Sequence, residues 1–428
     1  MEIPVIKNLE QLSTTTLRRD ALLVLEAGYE AVDTERVIRE EVEIKGDDIC
    51  IKGRNICLTD HERVFFVGIG KCAVDASHVF EELLGDRIED GIILDIKSGI
   101  FKRMRSFVGT HPFGTPGNVA QTKEIVKMLQ GVTDRDLVLM VISGGGSSLL
   151  CMPHDINCET LQNITATLWK HGATIAEVNT VRKHLSDILG GQLAKAAYPA
   201  TVVSFIFSDV PGDDMSIVAS GPTVRDTTTI EDAEYILAKY DVLTQCKLPN
   251  CELVETPKEQ KYFDRVLNLL LVTNKRALHA MEEKAKMLGY DAVVKDAEFF
   301  GIAAARGKEL GNMEMPPRTC WLYGGETTVE IKGTGEGGRN QEFVLATVPD
   351  IPDDRVLVAA ASDGWDNSDA AGAIGDAGDR KRAIEKKLDP GKFLANNDSY
   401  NFWKESGGTI HTGRTGINVA DFYIIINK

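Results

Sequence analysis

Apolar residues along this chain fall into two kinds of run. One kind is short and almost unbroken: 137–142 (LVLMVI), 201–207 (TVVSFIF) and 355–361 (RVLVAAA) show no alternation of polar and apolar positions. Strands buried on both faces of a parallel sheet read this way, because helices cover both sides. The other kind repeats at helical spacing and predicts helices over 14–37, 118–129, 230–240, 275–288 and 300–310, one ending at Leu84, and a largely helical stretch over 161–197. Shorter apolar stretches at 63–67, 91–96, 268–273, 291–294, 319–323 and 422–426 predict further strands. Strands alternating with helices make the fold class α/β.

At 428 residues the chain exceeds what one core usually organises, so two domains are expected. Between 225 and 265 the strand signal lapses, and the polar stretch 246–260 carries two prolines. The expected domains are therefore 1–250 and 251–428, with a second α/β series opening at 268–273. No internal repeat links the two.

Composition narrows the partners. With 43% hydrophobic and 26% charged residues the chain reads as globular, and its formal net charge of -16 argues against nucleic acid or an anionic membrane as the main partner. The first twenty residues lack a basic-then-apolar leader pattern, and no apolar run nears the roughly 20 residues that span a bilayer. A cytoplasmic location is expected. Eight cysteines are dispersed with no C-x-x-C pair, so free thiols in a reducing compartment are expected and a zinc site is not. Cys72 and Cys151, beside glycine turns, read as small buried residues rather than nucleophiles.

The candidate chemistry sits where strands give way to glycines. After 137–142 come Ser143, Gly144, Gly145, Gly146, Ser147 and Ser148, which lack bulk near the backbone and are expected to turn successive N–H groups toward a phosphate at a helix start. The alternative is a tight turn with nothing bound. A second turn, Gly68-Ile-Gly70-Lys71-Cys72-Ala73, follows 63–67 and puts a lysine at a helix start, where only an offsetting anion makes it favourable. It is neither a Walker A loop nor a full dinucleotide fingerprint. His111 reads as a loop residue or an anion contact, since no carboxylate stands at an evident spacing. Asn179, Arg182 and Lys183 lie within about one helical turn, as a solvated face or a binding face. Asp209 directly follows a strand, on the edge where open α/β sheets bind ligands, and is a candidate Mg2+ ligand; Asp213 reads equally as a cap. Further on, Gly324, Gly325 and Glu326 form another expected turn, and Arg339 follows the pair Gly337-Gly338, where a planar guanidinium can approach phosphate oxygens.

In order along nearly the whole chain stand GIGKCA, VISGGGSSLL, NTVRKHLSDILGG, FSDVPGDD with SGPT, YGGETTV, GGRNQEF, ASDGWD and HTGRTGINVAD. This series resembles the glycerate 2-kinases of the MOFRL class. The resemblance implies a Rossmann-like N-terminal domain with a parallel sheet, a smaller α/β MOFRL-type C-terminal domain and an active site in the interdomain cleft. It implies ATP- and Mg2+-dependent phosphorylation of D-glycerate to 2-phosphoglycerate in central carbon or sugar-acid metabolism. Lys71 and Arg339 match the family's proposed essential lysine and arginine, with Asp209 as a further catalytic candidate. Arg182 and Asn340 become substrate-binding candidates, and Asp363 joins Asp209 and Asp213 as a metal candidate. The oligomeric state stays open, a homodimer included.

The chain departs from the family pattern in two places. Asn367 stands where a second glycine is usual, and one residue is missing before Asp369. In the last motif Arg414, Ile417 and Ala420 replace the usual residues. Two other readings remain: an NAD(P)H-dependent hydroxypyruvate reductase, and a nucleotide-binding regulator without turnover.

Overall fold

The computed structural model describes residues 4–248 and 251–428. In chain order its strands are β1 (Val42–Lys45), β2 (Asp48–Ile51), β3 (Arg54–Cys57), β4 (Arg63–Ile69), β5 (Ile88–Asp95), β6 (Met104–Val108), β7 (Asp136–Ile142), β8 (Thr201–Phe207) and β9 (Val266–Val272), then β10 (Asp291–Ile302), β11 (Thr319–Thr328), β12 (Arg355–Ala361), β13 (Gly372–Asp376), β14 (Thr409–Ile410) and β15 (Asp421–Asn427). They form a small antiparallel sheet β1-β2-β3 and two six-stranded sheets.

The first large sheet runs β6-β5-β4-β7-β8-β9. Pairing is parallel from β6 through β8. After β4 the chain adds β5 and β6 on one side, then returns to add β7 on the other, so the strand order reverses between β4 and β7. In open α/β sheets a reversal point splays the connections apart and leaves a crevice at the carboxyl ends of the strands. All seven residues of β7 are buried, as its unbroken apolar run requires. The helix Ala73–Leu84 packs on β4, β5 and β7, and Phe80 stacks against Phe205 at 4.7 Å and meets Phe66 at 5.3 Å between ring centroids. Each such buried ring contributes about 1.5–3 kcal/mol of apolar burial, which fixes the helix on the sheet.

The second large sheet runs β10-β11-β15-β12-β13-β14, with β10 and β11 parallel and the rest antiparallel. Its core stacks Phe299, Phe343 and Tyr423, with Phe402 and Trp403 beside them. Trp403 Nε1 donates to the Gln341 carbonyl at 2.9 Å, so its one polar atom is satisfied in the apolar core.

The compact units do not follow the expected division at 250 and 251. One unit comprises Val37–Ser208 and Asp213–Leu271; the other comprises Met1–Arg36, Asp209–Gly212 and Val272–Lys428. Residues 249 and 250 themselves lie outside those described. The strand expected to open the second series is β9, at the edge of the first sheet beside β8. A lapse in apolar pattern marked a polar segment here, not a change of core: Val254 N donates to the His184 carbonyl, and buried Lys183 binds Asp226 at 3.0 Å.

Other expectations also shift. The helix expected over 14–37 is two helices, Thr16–Ala31 and Thr34–Glu41, because the Asp33 carboxylate takes the Arg36 N–H at 2.8 Å and restarts the turn. The strand expected over 291–294 continues to Ile302, and the helix expected from 300 starts at Ala303. The three-stranded sheet at 42–57 was not anticipated.

Candidate functional site

The two glycine turns of the first unit meet at the reversal point. They must, because β4 and β7 are neighbours in register, with Ile69 opposite Ile142. Gly70 has φ +115, and a Cβ there would lie 2.1 Å from Ser143 Oγ, so only glycine fits. A Cβ on Gly145, φ +80, would lie 3.1 Å from both Lys71 Cγ and His111 Cδ2. Lys71 and His111 thus flank the second turn.

At the first turn most of the backbone N–H groups are already engaged inside the protein. Lys71 N donates to the Gly144 carbonyl at 3.0 Å and Ala73 N to the Gly70 carbonyl. Cys72 N reaches Ser143 Oγ, and Val74 N donates to Asp95 Oδ2 at 2.9 Å. In the second turn Gly146 N and Ser148 N are bonded to Ser143 and Gly145 carbonyls. The helix after it is the single turn Gly146–Leu149, too short for a useful dipole. Among the described residues the N–H groups of Gly144, Gly145 and Ser147 have no hydrogen-bond partner, so the second turn keeps three backbone donors for an anion while the first keeps few.

The charged and titratable side chains around the second turn are Lys71, Arg182 and His111. Among the described residues neither Lys71 nor Arg182 has an ion pair or a hydrogen-bonded carboxylate. Burial holds the Arg182 guanidinium below its ordinary range, yet such a group stays cationic at neutral pH. His111 is pushed down to about 4, first by its crowded surroundings and then by Lys71 and Arg182. Two cations with no ion pair among the described residues, beside a histidine held neutral first by burial and then by their charge, make a site one anion short.

Three braces hold the turn. Ser147 Oγ meets Ser220 Oγ at 2.9 Å, and Ser220 Oγ donates to Asn179 Oδ1 at 2.6 Å. Asn118 Nδ2 donates to the Ser148 carbonyl at 3.0 Å while Asn118 Oδ1 accepts from Thr110 N. Ser148 Oγ donates to the Pro112 carbonyl. Asn179 and Lys183 are therefore buried supports, not a solvated face, and Arg182 alone of that trio lines a cavity of about 500 Å³.

In the other unit Gly324 and Gly325 lie inside β11, not in a turn. A Cβ at Gly324 would lie 1.8 Å from Asn274 Oδ1, and one at Gly325 would lie 2.2 Å from the Phe299 carbonyl oxygen. These glycines serve close packing. Arg339 opens the helix Arg339–Leu345, donates through Nη2 to Asp421 Oδ1 at 3.0 Å and pairs with Glu326 at 3.1 Å. Burial opposes its charge, but Asp421 and Glu326 outweigh that and hold it above the usual guanidinium range. Asn340 is buried, and its N–H joins that of Gln341 on the Asp366 carboxylate at 3.1 and 2.8 Å. It orients the start of the helix rather than facing solvent. Burial raises Asp366 to about 6.

The metal candidates differ in setting. Asp209 accepts the Asn418 amide at 2.9 Å. Asp363 lies 3.6 Å from Arg414, accepts Trp365 N, and its carbonyl takes Thr415 N. Both therefore border the loop 414–419. Asp213 sits at φ +60 in a turn of the first unit, where Asp214 caps Ser216 N. Among the described residues the one cluster of three potential ligands, His279, Glu282 and Glu283, includes none of these aspartates. Asn367 takes φ +53, a conformation asparagine tolerates almost as glycine does, and its amide binds the Gly337 carbonyl, so the turn survives the departure from the family pattern.

Sequence reasoning missed Asp95, Asn118, Asp366 and Asp421, each a carboxylate or amide that holds a motif. Asp95 and Asp421 were findable as acids at strand ends, and Asn118 as the fourth residue of a Thr115 capping box. No described helix is long and apolar enough to cross a membrane.

Residues 20–251 match a family described as a domain of unknown function, DUF4147, and residues 319–421 match the MOFRL family. A curated glycerate 2-kinase of Pyrococcus horikoshii is 34% identical, over 96% of this chain and 97% of its own. A human glycerate kinase is 32% identical, over 89% of this chain and 87% of its own. Among solved structures, a glycerate kinase of Thermotoga maritima superposes with a TM-score of 0.81 at 32% identity, covering 96% of this chain and 100% of that one.

Proposed function

This chain belongs to the glycerate kinase family, and from that premise we propose that it transfers the γ-phosphoryl group of ATP to the C2 hydroxyl of D-glycerate in the cytoplasm. The products are ADP and 2-phosphoglycerate. The observation that carries this reading is the pair Lys71 and Arg182, two cations with no ion pair among the described residues, around a braced turn at the sheet's reversal point. Phosphoryl transfer needs little covalent help from a protein. It needs preorganised charge around the moving group.

In this reading Lys71 and Arg182 hold phosphate oxygens while Gly70, Gly144 and Gly145 let them come close to the backbone. His111, neutral at physiological pH, adds a hydrogen-bonding partner without adding a third charge. Arg339 is kept cationic and oriented by Asp421 and Glu326, the condition for a planar contact with phosphate or carboxylate.

Mg2+ fits the hard carboxylate oxygens of Asp209 and Asp363, since this ion is commonly held by one or two carboxylates together with substrate phosphates. When bound it would neutralise charge on the β- and γ-oxygens.

Coupling the products to enolase, with and without phosphoglycerate mutase, tests the reading. Signal with enolase alone is expected. Signal only when mutase is present would move the phosphate to carbon 3, and no ADP at all would contradict the kinase reading.

A further inference from the structure

Beside the cation cluster lies a cavity of about 500 Å³. One wall is a face of the helix Cys158–Lys170, whose residues Leu161, Thr165, Ala166 and Trp169 recur at helical spacing. Another is the loop carrying His111 and Phe113, and the glycine turn contributes Ser147 and Ser148. Arg182 completes the lining. Phe113 and Trp169 are 55% and 48% exposed, an unusual state for two large aromatic side chains that share one cavity.

The lining is mostly apolar, yet it includes Arg182, one of the two cations with no ion pair among the described residues, and the neutral His111. A three-carbon acid is too small and too polar for it, because cavities of roughly 300–1,000 Å³ lined by aromatic and aliphatic groups take drug-sized ligands. The occupant must join a flat apolar part to an anionic part. A nucleotide does so: its base has π-faces for Trp169 and Phe113, and its phosphates meet Lys71 and Arg182.

We propose that the cavity between the helix Cys158–Lys170 and the His111–Gly114 loop is the subsite for the base of the donor nucleotide, with Trp169 and Phe113 as the stacking residues. This rests on the kinase reading and adds where the donor binds. Gln162, whose amide donates to the Gly114 carbonyl at 2.7 Å, fixes the two walls at a set separation, so the slot is preformed rather than closed by the ligand.

Calorimetric titration of the full chain with ADP and with inorganic tripolyphosphate tests the assignment. Tripolyphosphate keeps the charge and lacks the base. Both aromatic residues are half exposed, so Trp169→Leu and Phe113→Leu should fold. Each is expected to weaken ADP by on the order of tenfold, the scale of one lost stacking contact, while tripolyphosphate affinity stays within about twofold. The KM for ATP should rise in parallel and the KM for D-glycerate should not. Unchanged ADP affinity in both variants overturns the subsite, as does an equal loss for both ligands. A wild-type chain that binds neither ligand overturns the kinase reading itself.

Discussion

Gly70 and Ser143 approach so closely that a single methyl group at residue 70 would lie 2.1 Å from the serine hydroxyl oxygen. This one contact joins the turns after β4 and β7 and sets Lys71 beside Gly145. Gly70→Ala should therefore act on both stability and catalysis. The overlap and the positive φ together should cost about 2 kcal/mol or more, read as a lower Tm, and kcat should fall with it. A variant with unchanged Tm and kcat would mean that the turns are not mechanically joined.

Lys71 and Arg339 should respond differently to removal. Lys71 has no ion pair among the described residues, so Lys71→Ala should leave Tm nearly unchanged while activity collapses. Arg339 neutralises the buried Asp421, 2% exposed at its side chain, and Arg339→Ala strands that carboxylate. Stranding a buried charge is strongly destabilising; here about 3 kcal/mol is expected, since the arginine is itself partly exposed. Thermal melts of both variants check the contrast, which equal melting temperatures would refute.

The depressed His111 gives a pH signature. Its folded pKa of about 4 lies below the ordinary 6.5, so the unfolded chain binds this proton first. Above pH 6.5 both states are neutral and this group costs nothing. As pH falls from 6.5 toward 4, unfolding takes up a proton that the folded state refuses, and stability declines. ATP brings the missing anion and should raise the His111 pKa, with proton uptake on binding below pH 6.5. An NMR titration of His111 with and without ATP reads both effects. A pKa near 6.5 without ligand would contradict them.

Asp209 is placed by the Asn418 amide on the border of the loop 414–419. If it holds the metal with Asp363, Asp209→Asn should raise the Mg2+ concentration for half-maximal rate by on the order of tenfold, the loss of one charged ligand. The KM for D-glycerate should change much less. An unaltered Mg2+ dependence would assign Asp209 to structure alone.

Much of the fold was legible because burial writes itself into apolar runs: β8 and β12 fall on residues 201–207 and 355–361 as the pattern indicated, and β7 adds only Asp136. What the pattern could not show is adjacency. Nothing in the sequence says that β9 pairs beside β8, or that the polar stretch after 225 folds back on Lys183 and His184. The same limit applied to the site. Glycine-rich turns at strand ends were visible, yet whether their N–H groups are free depends on neighbours such as Asp95 and Ser143, set by the strand order. Gly324-Gly325 looked like a turn for a similar reason; only the packing of Asn274 and Phe299 against β11 shows why glycine is required there.

Side-chain cations, Lys71 foremost, are expected to hold the phosphate beside the backbone donors of the second turn, and their charge is expected to dominate turnover. The most direct measurement is the steady-state rate of ADP formation from ATP, Mg2+ and D-glycerate by the wild-type chain, Lys71→Ala and Arg182→Ala. Loss of one preorganised charge should lower kcat by on the order of 10²-fold or more in Lys71→Ala, and Arg182→Ala should be clearly impaired. Near wild-type turnover in both variants would return the phosphate to the backbone and contradict the account.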